Sequence, residues 1–273
     1  MTVPMNASHD THSFIKLIRT ALFAVFLAQS QSAMSDGFRI TPLKLYFDAN
    51  SNSSLLKIKN DGNQKVNLQL EAMTWNQSDE GEDLYMATRE IIFFPKILSI
   101  DANSERIVRV GYQGVPADTK EKSYRLFVQE LPFERPGEAQ MKFAVRVSIP
   151  VFVRPVENEH AWNVGFVSLE KQGLSIRVNN TGNRFLMVGA MQAIGRDAEG
   201  KEILRSEGQG WYVLAGRGRA FSLLVNKESC EKVVTLEVAI TVNKDTRKRP
   251  LNEINCELLD NTISQSPQVA PGK

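Results

Sequence analysis

The chain has 273 residues and 42% apolar side chains, which is ample for packed cores and long for one small sandwich. Its formal charge of +2 gives no reason to expect a polyanion, so no nucleic-acid partner is expected. With 23% charged residues, wholesale disorder is excluded as well.

The first 33 residues read as an export signal. Lys16 and Arg19 carry positive charge ahead of the apolar stretch from Ala21 to Ala28, and Gln31-Ser32-Ala33 offers a small-residue cleavage point. That stretch is too short for a comfortable bilayer span, and no later stretch of that length is free of charge. The expected product is a soluble chain from about Met34, with no stable membrane insertion.

Short apolar runs broken by polar turns follow. Leu55 to Lys59 ends at Asn60-Asp61-Gly62-Asn63, and Val66 to Ala72 then alternates with period two, which reads as strand, turn, strand. Ile91 to Phe94 stops at Pro95, and Ile97 to Ile100 turns through Asp101-Ala102-Asn103-Ser104 into Arg106 to Val110. Tyr124 to Gln129 is another strand, and Met141 to Val153 is the longest. Some seven strands of this size match an immunoglobulin-type sandwich.

Arg154-Pro155-Val156 and the polar run after it read as a boundary, because Pro155 cannot donate a ladder hydrogen bond. Candidate strands then resume at Val164 to Leu169 and Leu174 to Val178, and near Phe185, Ile203, Trp211, Phe221, Val233 to Val242 and Ile254. They predict a second, smaller sandwich. The Asn180-Thr181-Gly182-Asn183 turn sits where Asn60-Asp61-Gly62-Asn63 sits in the first half and hints at a repeated topology. The expected organisation is a signal over 1–33, sandwiches over 34–155 and 156–261, and a disordered tail over 262–273. In an oxidising compartment Cys230 and Cys256 are expected to form one disulfide, with two separate buried thiols as the alternative.

Enzyme chemistry finds little support. His9 and His12 fall in the signal, and His160 alone cannot hold a metal or activate a nucleophile. Gly216-Arg217-Gly218-Arg219 lies between strand candidates and reads as a hairpin turn. Asp79-Glu80-Gly81-Glu82-Asp83 lacks calcium-loop spacing and reads as a solvated loop. Lys244 to Arg249 has no interleaved aromatics and reads as an exposed hairpin. No catalytic residue, metal or cofactor is expected.

The segment Met141 to Val153 is the informative one. Met141, Phe143, Val145, Val147, Ile149 and Val151 share one face, with Lys142, Arg146 and Ser148 on the other. An ordinary core strand would explain this pattern, but Pro150 favours an edge or bulge. An exposed apolar edge is a hazard unless a partner chain docks there.

On these residues the chain resembles the periplasmic fimbrial (PapD-like) chaperones of the chaperone–usher pathway. The resemblance rests on Ile40 to Phe47, Leu56 to Asn60, Phe94 to Ala102 running into Ile107 to Val110, and Tyr124 to Pro132. Ser148-Ile149-Pro150-Val151-Phe152 is similar to the archaic (non-classical) branch.

The resemblance implies an all-β chain of two immunoglobulin-like sandwiches in a boomerang. It implies a periplasmic chaperone that lends a strand to pilin or fimbrial subunits and delivers them to an outer-membrane usher. The donor strand maps onto Met141, Phe143, Val145, Val147 and Ile149. The subunit-carboxylate anchor of the classical branch maps onto Lys44 and onto Pro150, which cannot serve; Arg125 is the implied substitute, with a surface strand arginine as the plain alternative. Glu121 and Arg154 map onto interdomain ion pairs. The competing reading is an immunoglobulin-like fibre subunit or adhesin, which would carry its own N-terminal donor extension.

Overall fold

In the computed structural model the described residues are 37–131, 144–251 and 254–259. The expected signal and tail, and Met141 and Phe143 of the expected donor strand, lie outside them.

The first sandwich is built from β1 (Phe38–Thr41), β2 (Leu45–Phe47), β3 (Ser53–Asn60), β4 (Val66–Gln77), β5 (Asp83–Ala87), β6 (Ile91–Phe94), β7 (Ile97–Ile100), β8 (Glu105–Tyr112), β9 (Lys122–Leu131) and β10 (Arg146–Val153). One sheet has the order β1-β3-β8-β6; the other has β2-β10-β9-β4-β5, with β7 also on β4. The expected single strand from Ile40 to Phe47 is in fact two strands in opposite sheets, and Pro42, which has no N–H to donate, lies in the crossing. Period-two alternation is legible in β4, where Val66, Leu68, Leu70 and Ala72 face the core while Gln69 and Glu71 face outward. The core they share with Leu56, Ile58, Val108, Val110, Leu126 and Val128 is closed to solvent.

The second sandwich contains β11 (Trp162–Glu170), β12 (Gly173–Asn180), β13 (Leu186–Arg196), β14 (Glu202–Gln209), β15 (Tyr212–Val213), β16 (Gly218–Leu223), the one-turn helix α1 (Lys227–Cys230), β17 (Thr235–Val242) and β18 (Asp245–Leu251). Its sheets are β11-β12-β16 and β14-β13-β17-β18, with β15 on β13. The fold is therefore two immunoglobulin-like β-sandwiches, each with its own core. Cys230 in α1 and Cys256 in the 3₁₀ turn Cys256–Leu258 are joined by a disulfide, with both residues buried in the second core.

The two Asn-containing turns are built alike. Asn60 is buried, and its amide donates to the carbonyls of Gln64 at 2.6 Å and Ile100 at 3.1 Å while its oxygen accepts from Gly62 N–H at 2.9 Å. Asn180 repeats the pattern with Arg184 O at 2.7 Å, Val213 O at 3.0 Å and Gly182 N–H at 3.1 Å. Each buried amide ties a turn to a distant strand, which is why its polar atoms tolerate burial.

Candidate functional site: an open strand edge leading into a basic cleft

Strand β10 lies between two neighbours but is only partly covered. Along one side it pairs antiparallel with β9 from Arg146 to Val153. Along the other it pairs with β2, in parallel, only at Val151, Phe152 and Val153. Residues 146–150 have no ladder partner on that side among the described residues. Their backbone groups can accept an added strand.

Burial falls steadily toward the open end. Val151 and Ile149 are wholly buried in the chain's own core, Val147 packs against that core from a half-buried position, and Val145 is 44% exposed. This narrows the expected donor set. The Ile149 side chain is committed to its own sandwich, because it is wholly buried in the first core. Among the described members, Val145 and Val147 are the ones within a partner's reach.

The opposite face of the same sheet meets the second sandwich. Phe152 stacks on Phe185 with ring centroids 4.1 Å apart, and Trp75, Tyr46 and Tyr212 complete an aromatic layer around it. Against this layer stand the two basic residues singled out from the sequence. Arg125 is cross-strand from Pro150 in the β9–β10 register. It is 4% exposed, and its guanidinium lies 3.6 Å from the centre of the Trp75 ring and 5.3 Å from that of Tyr212. Burial pulls its pKa down, while nearby Tyr85 and Asp83 oppose that shift. Its Nε atom is buried with no hydrogen-bond partner. Lys44 precedes β2, and its ammonium lies 5.1 Å from the centre of the same Tyr212 ring. Arg125 and Lys44 thus converge on one aromatic ring, contributed by the second sandwich.

Glu121 is also buried at the junction. Its Oε1 accepts from the Phe185 N–H at 2.8 Å, and its Oε2 lies 3.6 Å from Arg184 Nε. Burial pushes the carboxyl up to about 7, against the pull of that N–H and of Arg184 and Arg154. Glu121 and Arg154 are the two residues mapped from the sequence onto interdomain ion pairs. Glu121 lies 3.6 Å from Arg184 of the second sandwich, while Arg154, whose guanidinium lies 4.0 Å from the centre of the Tyr46 ring, acts on the carboxyl by its charge.

The acidic segment expected to be a solvated loop is corrected too. Its ends grip the second sandwich: Arg177 donates to the Asp79 carbonyl at 2.7 Å, Arg217 lies 3.5 Å from the Asp79 carboxylate, and Arg219 lies 3.2 Å from Asp83. At Gly81, φ is +91° and an added Cβ would come within 2.9 Å of the Arg219 backbone, so only glycine allows this approach. Gln77, 1% exposed, donates to the Tyr212 carbonyl at 3.0 Å and accepts from the Leu214 N–H at 2.9 Å.

Sequence reasoning missed Trp75, Gln77, Asp83, Phe152, Arg184, Phe185, Tyr212 and Arg219. A partial signal existed for Phe152, which is a large aromatic on the strand face opposite the core set. The adjacent aromatics Trp211 and Tyr212 also stand out in a strand too short to bury both.

Fold and site together define a double β-sandwich protein with an open strand edge that leads into a basic, aromatic cleft between its halves. Residues 37–158 match the family described as pili and flagellar-assembly chaperone, PapD N-terminal domain. The match spans the first sandwich, which is similar to that domain.

Solved structures with the same fold include the CsuC–CsuE chaperone–tip adhesion subunit pre-assembly complex from archaic chaperone–usher Csu pili of Acinetobacter baumannii. That match has 20% identity and a TM-score of 0.56, and covers 78% of this chain and 97% of that one. The YadV chaperone matches with 18% identity and a TM-score of 0.53 over 78% of this chain and 99% of its own. The CupB2 chaperone of Pseudomonas aeruginosa matches with 16% identity and a TM-score of 0.50 over 78% and 98%. No curated protein sequence matches the chain. Among the described residues no helix is long and apolar enough to cross a membrane.

Proposed function

We propose that this protein is a periplasmic assembly chaperone that holds pilus or fimbrial subunits by donor-strand complementation and passes them to an outer-membrane usher. The observation that carries the reading is continuity: the unpaired edge of β10 at residues 146–150 runs directly into the cleft that holds Lys44 and Arg125.

Direction follows from β2. That strand is parallel to β10 on this same side, with Leu45 opposite Val151. A client strand added ahead of it in the same direction would end its chain opposite Pro150, beside Lys44 and across from Arg125. A terminal carboxylate arriving there meets two cations in a desolvated aromatic setting, where a guanidinium can offer paired hydrogen bonds. Client backbone would complete the ladder, and Val145 and Val147 would enter the client's open groove. Each large apolar side chain fully buried in this way contributes about 1.5–3 kcal/mol before ordering costs. The positively charged, apolar N-terminal stretch supports export, and the pre-assembly complex named above supports subunits as the partners.

The test is co-expression with a candidate subunit followed by co-purification. Val145 is exposed just ahead of β10, so Val145→Glu should leave the chaperone folded and abolish capture by placing a charge in an apolar groove. Subunit recovered with the Val145→Glu protein at wild-type yield overturns the strand-lending reading.

A further inference from the structure

Resting on the carboxylate-anchoring role of Arg125, we propose that Asp83 is a positioning residue for that anchor, linking it to the second sandwich through Arg219. A single oxygen, Asp83 Oδ1, accepts three hydrogen bonds, two from the neighbouring strand β4 and one from the second sandwich. They come from the Trp75 indole at 3.0 Å, the Gln77 amide at 2.9 Å and Arg219 Nη1 at 3.2 Å.

Each donor has a separate task. Trp75 is the floor on which Arg125 rests, 3.6 Å from the ring centre. Gln77 clasps the backbone on both sides of Val213, and so places Tyr212, the ring shared by Arg125 and Lys44. Arg219 belongs to the second sandwich and pairs with the partly buried carboxylate at 3.2 Å. Removing Asp83 would free the indole to turn about its side-chain bonds and leave the Gln77 amide with one partner fewer. Arg125 would then lose the fixed surface that aims its guanidinium at the end of the open β10 edge. Charge acts in the same direction, since Asp83 attracts Arg125 and holds it in the cleft. Asp83 therefore acts on the anchor through Trp75 and Gln77 and by its charge.

The experiment uses the full chain and two synthetic peptides of alternating valine and threonine, identical except that one ends in a free carboxylate and the other in an amide. Their affinities are measured by calorimetry, and the Trp75 indole N–H resonance is followed by NMR. Wild-type protein should prefer the free acid by about tenfold, as expected for a charge-assisted clamp. Asp83→Ala should shift the indole resonance and erase most of that preference while binding the amide peptide as before. Asp83→Asn, which keeps an acceptor oxygen, should retain the indole resonance and part of the preference. Arg219→Gln changes only a partly exposed group of the second sandwich; it should reduce the preference in a chain that remains folded, and it serves if Asp83→Ala does not fold. A full acid preference in Asp83→Ala, or in Arg219→Gln where that variant stands in, overturns the positioning role and leaves the anchor intact. If wild type and Arg125→Ala bind acid and amide alike, the anchoring reading itself falls, and the positioning role falls with it.

Discussion

At the residue scale, Arg125 carries its charge among three aromatic rings, at 3.6, 5.3 and 5.9 Å, with no ion pair among the described residues. A buried cation held this way is poised for an incoming anion and adds little to the stability of the empty fold, since desolvation offsets the ring contacts. Arg125→Ala is therefore expected to weaken capture of a subunit with a free C-terminus by roughly 10- to 100-fold, with a small change in melting temperature. A binding titration beside a thermal melt separates the two effects; unchanged affinity would refute the anchoring role. The residue itself was singled out in the sequence through the family resemblance alone. Its surroundings were not, because Trp75 and Tyr212 reach it from other strands, one of them in the other sandwich.

At the element scale, the strands were legible wherever one face is core and the other is water. β4, β8 and β17 all show the alternation. β10 shows it only up to Ile149; beyond that every residue is buried, because its second face meets the other sandwich. Periodicity identified the strand and could not indicate that burial changes sides along it. The polar segment 79–83 failed for a related reason: its charges face arginines of the second sandwich as well as water. The α1 helix has a different dependence. It is one turn long, too short to be stable alone, and it is held by its Asn226 cap and by the Cys230–Cys256 disulfide, which closes a sequence separation of 26. Replacing both cysteines by alanine should destabilise the second sandwich by about 2–4 kcal/mol. Denaturant unfolding should report this as a lower midpoint, and Arg125 and β10 in the first sandwich should retain capture at low denaturant.

At the scale of the whole molecule, the angle between the sandwiches depends on a junction with a titrating group at its centre. Glu121 has its pKa pushed up to about 7 from an ordinary 4.5 by burial. The junction keeps a proton that the separated or unfolded chain would release between those values. Its stabilising effect is complete below about 4.5 and is lost as the pH rises through 7. Arg184 and Arg154 face the carboxyl, and His160 lies 3.5 Å from Arg184. Burial and Arg184 hold the His160 pKa down, so its protonation on acidification works against the fold. The difference between wild type and Glu121→Gln isolates the carboxyl. Between pH 8 and 5.5 the wild-type melting temperature should gain about 5 °C relative to the variant. A constant difference across that range would remove Glu121 as the titrating group. The carboxylates whose pKa values are lowered by surface partners, such as Asp61 and Asp101, act only at lower pH and leave this window clear.

The sequence by itself determined the β class, the alternating strands with their turns, and the two sandwiches. All of these follow from alternation and turn chemistry within a few neighbouring residues. Only the tertiary structure decided that β2 stops short of residues 146–150, that Glu121 meets Arg184, and that Asp83, which holds Trp75, meets Arg219 across 136 positions. Such contacts depend on how two packed sandwiches abut, and local periodicity carries no information about which distant side chains that packing brings together.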